Sequence, residues 1–234
     1  MKTVVIYGIE HRGCTYNIVQ LFKNQLKICE HDLTEFYLPK DLPHYCIGCN
    51  NCFMKGEAFC PHQNYVTPIK DAIDNADLII LASPVYVFHV SGQMKTFLDH
   101  FAFRWMAHRP EKSMFSKTAL AIAIGANGGM SSTAKDMTIS LSYWGISRIF
   151  SFGYGVFAAK WDEVNPKKQI KIDRKVKKMS AQIKTQINKT KPSIKMRLLF
   201  NIFRLVQKKY KFITHDYEHW ERHGWLGKNR PWGD

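Results

Sequence analysis

Acidic side chains are scarce in this chain: 19 Asp and Glu stand against 34 Lys and Arg over 234 residues, a formal charge of +15. The imbalance is local. Residues 160–234 hold 20 Lys and Arg against 7 Asp and Glu, while the first 159 residues hold 14 against 12. The amino-terminal part is nearly neutral, and the basic tail would suit a solvated helix face, anionic lipid, nucleic acid or an acidic partner. Long apolar runs are also missing. None approaches the ~18–20 residues that a membrane-spanning helix needs. The start, Met1-Lys2-Thr3-Val4-Val5-Ile6-Tyr7-Gly8, is too short for a signal peptide and passes directly into a strand-like pattern. A cytoplasmic setting is expected, where thiols stay reduced. Internal repeats are absent, and the lysine-rich stretch at 167–178 is the only biased tract.

Against this background four cysteines fall within fifteen residues: Cys46, Cys49, Cys52 and Cys60, spaced C-x2-C-x2-C-x7-C. Such a run can bring four thiolates around one small inorganic centre, the ligand set of a [4Fe-4S] cluster. Structural Zn²⁺, reduced thiols without a metal, and a redox disulfide are the other readings, although zinc usually takes two separated pairs. Cys29 stands apart and reads as a structural thiol.

Thr3–Tyr7 is a short β-branched run suited to a buried parallel strand. Ile18, Leu21, Phe22 and Leu26 then share a helical face. Asp32–Leu38, Asp77–Ser83, Thr118–Gly125 and Ile146–Val156 read as further strands, with helices at Val66–Ile73, Gln93–Trp105 and Met130–Tyr143. This alternation predicts an α/β fold, a doubly wound five-stranded parallel sheet in the order 2-1-3-4-5, with ligands beyond the carboxyl ends of the strands. One domain is expected over 1–160, with an irregular cysteine loop at 44–62, and a basic helical extension over 161–234. In that extension Ile172, Val176, Met179, Ile183 and Ile187 form one apolar stripe. Leu199, Ile202, Phe203 and Val206 form another across Met196–Val206.

Three loops then share the carboxyl edge. The first, Gly8–Thr15, enters a helix, where free backbone N–H groups and the helix dipole attract anions. His11 or Arg12 adds positive charge, and Thr15 a hydroxyl. It lacks the Lys-Ser/Thr of a P-loop and the G-x-G-x-x-G of a dinucleotide crossover, which argues against an ATPase and against the usual dinucleotide site. The second, Ser83-Pro84-Val85-Tyr86-Val87-Phe88-His89, reads as a proline-stiffened turn beside an aromatic. The third, Gly125-Ala126-Asn127-Gly128-Gly129-Met130, has glycines that permit close backbone approach to a ligand.

These pieces, with Ala76-Asp77 and Ser91-Gly92-Gln93-Met94-Lys95-Thr96-Phe97-Leu98-Asp99, resemble the flavodoxin-like NAD(P)H-dependent FMN reductase superfamily, and within it the iron-sulfur flavoproteins. The resemblance covers roughly residues 1–155. It implies FMN as cofactor, its phosphate on the turn of His11, Arg12, Gly13, Cys14 and Thr15. The ribityl chain and isoalloxazine would rest on Pro84, Val85, Tyr86, Val87 and Phe88 and on Asn127, Gly128 and Gly129. It also implies a [4Fe-4S] cluster on Cys46, Cys49, Cys52 and Cys60, NAD(P)H as transient co-substrate, and an oligomer that brings cluster and flavin close. Departures are visible. Ile9-Glu10-His11 replaces the family's Ser-Pro-Arg, Cys14 its Asn, and His100 the Arg that often follows the Asp.

The implied activity is an FMN-dependent oxidoreductase passing electrons from NAD(P)H or a redox protein to a quinone, a flavin or another acceptor. The alternative is an electron carrier with no substrate chemistry of its own. No residue is needed as a general acid, since flavin N5 accepts hydride directly. Tyr86 would pack by the ring or border the substrate entrance, while His11 and His89 read as structural or surface groups. Lys95 and Asp99 form an i,i+4 pair. The tail is expected to build a homodimer or homotetramer, with peripheral membrane contact by Ile194–Val206 as runner-up. No DNA-reading motif supports a nucleic-acid partner.

Overall fold

The computed structural model describes every residue except 188, 190 and 234. In chain order the elements are β1 (Thr3–Tyr7), α1 (Cys14–Leu26), β2 (Leu33–Tyr37), α2 (Asn51–Met54), α3 (Gln63–Asn75), β3 (Leu78–Tyr86), β4 (His89–Val90), α4 (Gly92–His100), β5 (Thr118–Gly125), α5 (Met130–Tyr143), β6 (Arg148–Gly155), α6 (Pro166–Gln186), α7 (Ile194–Tyr210) and α8 (Thr214–Arg222). The main path of the sheet runs β2-β1-β3-β5-β6 with all neighbours parallel. Counting only those five strands, the order is the expected 2-1-3-4-5. The addition is β4, a two-residue strand pairing antiparallel with the end of β3, Val85 opposite Val90 and Tyr86 opposite His89.

Successive side chains of each strand leave on opposite faces of the sheet. Val4, Ile6, Ile79, Leu81, Ala119 and Ala121 pack with Ile69 of α3, Phe97 of α4 and Met137 of α5. Val5, Tyr7, Leu78, Ile80, Leu120 and Ile122 pack with Ile18 and Phe22 of α1. Helix α1 alone would leave part of the second face bare. Ile172, Val176 and Ile183 of α6 fill it and are fully buried. Helix α6 therefore packs on the sheet, and Ile172, Val176 and Ile183 of its stripe are already occupied within the chain.

Helices α7 and α8 serve a third core. Met196 and Phe200 of α7, Trp220 of α8 and Trp225 close on Met106 and Phe115, from the segment between α4 and β5. The cysteine loop, expected to be irregular, carries the single helical turn α2 and a 3-10 turn at Glu57–Phe59.

Candidate functional site

The three sequence-predicted loops leave β1, β3 and β5, which are neighbours in the sheet, so parallel pairing sets them side by side. A serine relay fixes the first two. Ser91, the N-cap of α4, donates through Oγ to the carbonyl of Gly8 at 2.6 Å, and its N–H donates to Ser83 Oγ at 3.0 Å. Both serines are fully buried. A Cβ on Gly8 would lie 2.7 Å from Ser91 Oγ, so the tie needs glycine there. The sequence offered little signal for this relay: the serines are eight residues apart and meet only because β3 turns back through β4.

At the mouth of α1, Gly13 is the N-cap and has no side chain to offer, and the first turn carries no acid. The N–H groups of this end are left for an outside acceptor, with the positive end of the helix dipole behind them. Arg12 is exposed and stacks over Tyr16 at 5.2 Å, and His11 folds against Gly13, where a Cβ would meet its ring at 2.7 Å. Thr15 is buried. Cys14 opens the helix. Its Sγ faces the carbonyls of Ala158 and Ala159 at 3.7 and 3.9 Å, and burial raises its thiol above the usual range. The loop after β6 thus becomes a fourth wall that sequence patterning missed, since Val156–Ala159 has no glycine or proline signal.

The second loop differs from the turn expected at Ser83–His89. Strand β3 continues through Ser83, Pro84 and Val85 to Tyr86, because Pro84 lies at the far end of the ladder. The reversal falls on Val87 and Phe88, with φ of 48° and 65°. Positive φ at both central residues matches the twist of a two-residue hairpin, yet a β-branched or bulky residue there is strained. Both are exposed, Val87 to 92%. The third loop packs directly against this hairpin. A Cβ on Gly129 would meet Val85 Cγ1 at 2.6 Å and Phe88 Cα at 2.8 Å, and one on Gly128 would meet the Phe88 ring at 3.2 Å. The side on which a Cβ would project from these glycines is therefore filled by Val85 and Phe88. Asn127 is exposed at the tip. His89 pairs with Asp136 of α5 at 3.0 Å, a tie that anchors the hairpin, and Lys95 reaches Asp99 at 2.5 Å as expected.

Cys46, Cys49, Cys52 and Cys60 line one pocket of about 310 Å³, with Ile47, Phe53, Pro61, His62, His100 and Ala102 among its walls. Cys46 and Cys49 are exposed, Cys52 and Cys60 half-buried. All six cysteines are free thiols. Burial pushes the Cys52 thiol up to about 11. Cys60, Cys46 and Cys49 add to that rise, and Arg109 opposes it. Burial also raises Cys60, with Cys49 and Cys46 contributing. Cys52 and Cys60 thus sit where a bound cation would favour their thiolate forms.

Two supports of this loop were not legible in the sequence. Asp216 of α8, 1% exposed, holds Arg109 by a short ion pair and His108 at 2.8 Å. Arg109 in turn donates to the carbonyl of Cys52 and lies 3.4 Å from Glu57. On the other side, the ligand atoms of Cys60, His62 and His100 lie within 4.8 Å of one another. His62 Nδ1 is 2.9 Å from His100 Nε2, and His100 Nδ1 is 2.8 Å from the carbonyl of Thr96.

The family model described as NADPH-dependent FMN reductase matches residues 1–159. The chain belongs to this family. It is a flavin-dependent NAD(P)H oxidoreductase that uses FMN. It is 26% identical over 230 residues to an iron-sulfur flavoprotein of Archaeoglobus fulgidus, covering 97% of this chain and 100% of that one. To an iron-sulfur flavoprotein of Methanocaldococcus jannaschii it is 26% identical over 180 residues, 74% of this chain and 88% of the relative. In fold it is similar to an FMN-dependent NADH-azoreductase of Bacillus anthracis solved with FMN. That likeness has a TM-score of 0.60 at 10% identity, over 78% of this chain and 99% of that one. None of the helices among the described residues of this reductase is long and apolar enough to cross a membrane.

Proposed function

We propose that this reductase holds FMN at the carboxyl edge of its sheet and a [4Fe-4S] cluster on Cys46, Cys49, Cys52 and Cys60, and carries electrons from NAD(P)H to a quinone, a flavin or a redox protein. The observation that carries the cluster reading is that all four thiols line one largely apolar pocket. Four thiolates around one pocket fit such a cluster. FMN, when bound, supplies hydride acceptance and onward electron transfer. The chain's own residues bind and orient. Arg12, Gly13 and Thr15, with the open N–H groups of α1, take the phosphate, and His11 adds a second cationic edge. Pro84, Val85, Tyr86, Val87 and Phe88 on the hairpin and Asn127, Gly128 and Gly129 beside it bracket the ring. The strained tip at Val87–Phe88 supports that role, since strain of this kind concentrates at ligand clamps.

A homodimer or homotetramer belongs to the same reading. Tyr45, Ile47, Met54 and Phe59 around the cysteines and Val87 and Phe88 on the hairpin are exposed apolar side chains. A second copy covering both groups would bring cluster and flavin together. A reducing, cytoplasmic setting is part of the proposal, supported by six unpaired thiols.

One observation favours a second reading, zinc on Cys60, His62 and His100. The Thr96 carbonyl orients His100 in the manner of a metal-bound imidazole. Absorption of anaerobically purified protein, with iron, sulfide and zinc analysis, separates the two. Flavin bands near ~370 and ~450 nm plus a broad shoulder near ~400 nm, with iron and sulfide lost in Cys46→Ser, support the cluster. Zinc that survives Cys46→Ser but not His100→Ala defeats it.

A further inference from the structure

Helix α7 is apolar on two opposite faces, and the chain covers only one. Met196, Leu199, Phe200 and Phe203 point into the third core. Ile194, Leu198, Ile202 and Leu205 fall within an arc of about 80° on the other side, at ~100° per residue. They remain 87%, 62%, 47% and 59% exposed. At the end of the helix, the stacked pair Tyr210 and Phe212 is also exposed, at 50% and 78%. This stripe is set in cations. Lys195, Arg197, Lys208 and Lys209 border it and are exposed. From Arg174 to His215 the sequence holds 13 Lys and Arg and no Asp or Glu.

We infer that this outer face of α7 docks on the surface of an anionic lipid bilayer, with Ile194, Leu198, Ile202 and Leu205 entering the headgroup–acyl boundary and the flanking Lys and Arg meeting lipid phosphates. An apolar stripe with a cationic margin is the form of an in-plane membrane helix. Charge favours lipid over the competing occupant. A second copy placed stripe to stripe would set two basic rims against each other, whereas anionic headgroups neutralise them while the aliphatic side chains are buried. Nucleic acid would satisfy the cations but gains nothing from the aliphatic side chains between them. The helix is firmly seated for this duty. Its N-cap Ser193 accepts from the Met196 N–H at 3.2 Å, and Gln207 near its end donates to the Ala107 carbonyl at 2.7 Å. The inference concerns a face apart from the cofactor loops and does not rest on their assignment.

Flotation of the full chain with vesicles tests it. Truncation is unsuitable, because Met196, Phe200 and Trp220 fill a core. The protein is expected to float with vesicles of phosphatidylcholine containing about a quarter phosphatidylglycerol, and not with phosphatidylcholine alone. Binding should fall at least about tenfold in Leu198→Glu/Ile202→Glu and in Lys208→Glu/Lys209→Glu, and weaken at high salt. Leu205→Gln is the milder check, with unchanged tryptophan fluorescence showing that each variant is folded. Three results would overturn the inference: no flotation with anionic vesicles, flotation that ignores the aliphatic substitutions, or a drop in oligomer mass on Leu198→Glu/Ile202→Glu. Retention on duplex DNA at the salt where vesicle binding is lost would likewise overturn it.

Discussion

Asp216 shows how much one buried charge can hold. It is the partner of both Arg109 and His108, and Arg109 is what reaches the Cys52 carbonyl. Removing one member of a buried ion pair leaves the other uncompensated, at a typical cost of about 3–5 kcal/mol. Asp216→Asn is therefore expected to lower the denaturant midpoint strongly and to reduce iron per chain in anaerobic preparations. An unchanged midpoint would show that Arg109 finds another partner. Gly8 makes a finer test. Gly8→Ala places a methyl group 2.7 Å from Ser91 Oγ, and breaking that serine tie should cost about 1–3 kcal/mol. The loop ends on β1 and β3 would then separate, and FMN should be retained less well through gel filtration.

Elements bring their own consequences. The β3–β4 hairpin reverses on Val87 and Phe88 in the left-handed region, where an L residue pays roughly 1–2 kcal/mol and Asn pays less. Val87→Asn should raise the melting temperature by a few degrees, equivalent to ~0.5–1 kcal/mol, and a fall instead would mean the Val87 side chain packs on something. Helix α8 predicts a pH dependence. Burial is the main cause that holds His219 down to about 4, with His223 and Arg109 adding to it and its hydrogen bond with the Pro110 carbonyl opposing it. An unfolded His titrates near ~6.5, so the unfolded chain binds the proton first. The stability His219 contributes is thus present above ~6.5 and is lost as pH falls from there toward 4. Trp220, Trp225 and Trp232 report on this core. Their fluorescence-detected unfolding midpoint should fall across that window, and His219→Gln should flatten the fall.

At the scale of the whole molecule, two cores of the sheet and one small aromatic core are joined through the cysteine loop. The third core seats α8, and α8 seats Arg109 against Cys52. Trp225→Ala is expected to cost about 3–5 kcal/mol and to weaken the ~400 nm absorbance while leaving the flavin bands, because the cofactor loops stand on the sheet. Equal loss of both signals would show that the cores do not act separately. The same division explains what was legible in the sequence. Short β-branched runs such as Thr3–Tyr7 and Thr118–Gly125, alternating with helical stripes, fixed the parallel sheet, since each pattern matches the period of one element. The C-x2-C-x2-C-x7-C run marked the cysteine loop as a candidate metal site for the same local reason. The Ser83–Ser91 relay, the hairpin reversal at Val87–Phe88 and the Asp216–Arg109–Cys52 strut carry no local signal, because their partners are brought together by topology.

Amino-acid order alone thus determined the strands, their parallel order and the family. Hydrophobic period and turn chemistry act over a few residues, and the motifs lie within contiguous loops. Only the tertiary structure decided which apolar stripe of the basic tail is spent inside. Whether Ile172 or Leu198 meets a sheet depends on which face the preceding strand has left uncovered. That is a property of the packed layers, and a helical period reads the same whether its stripe meets protein, lipid or water.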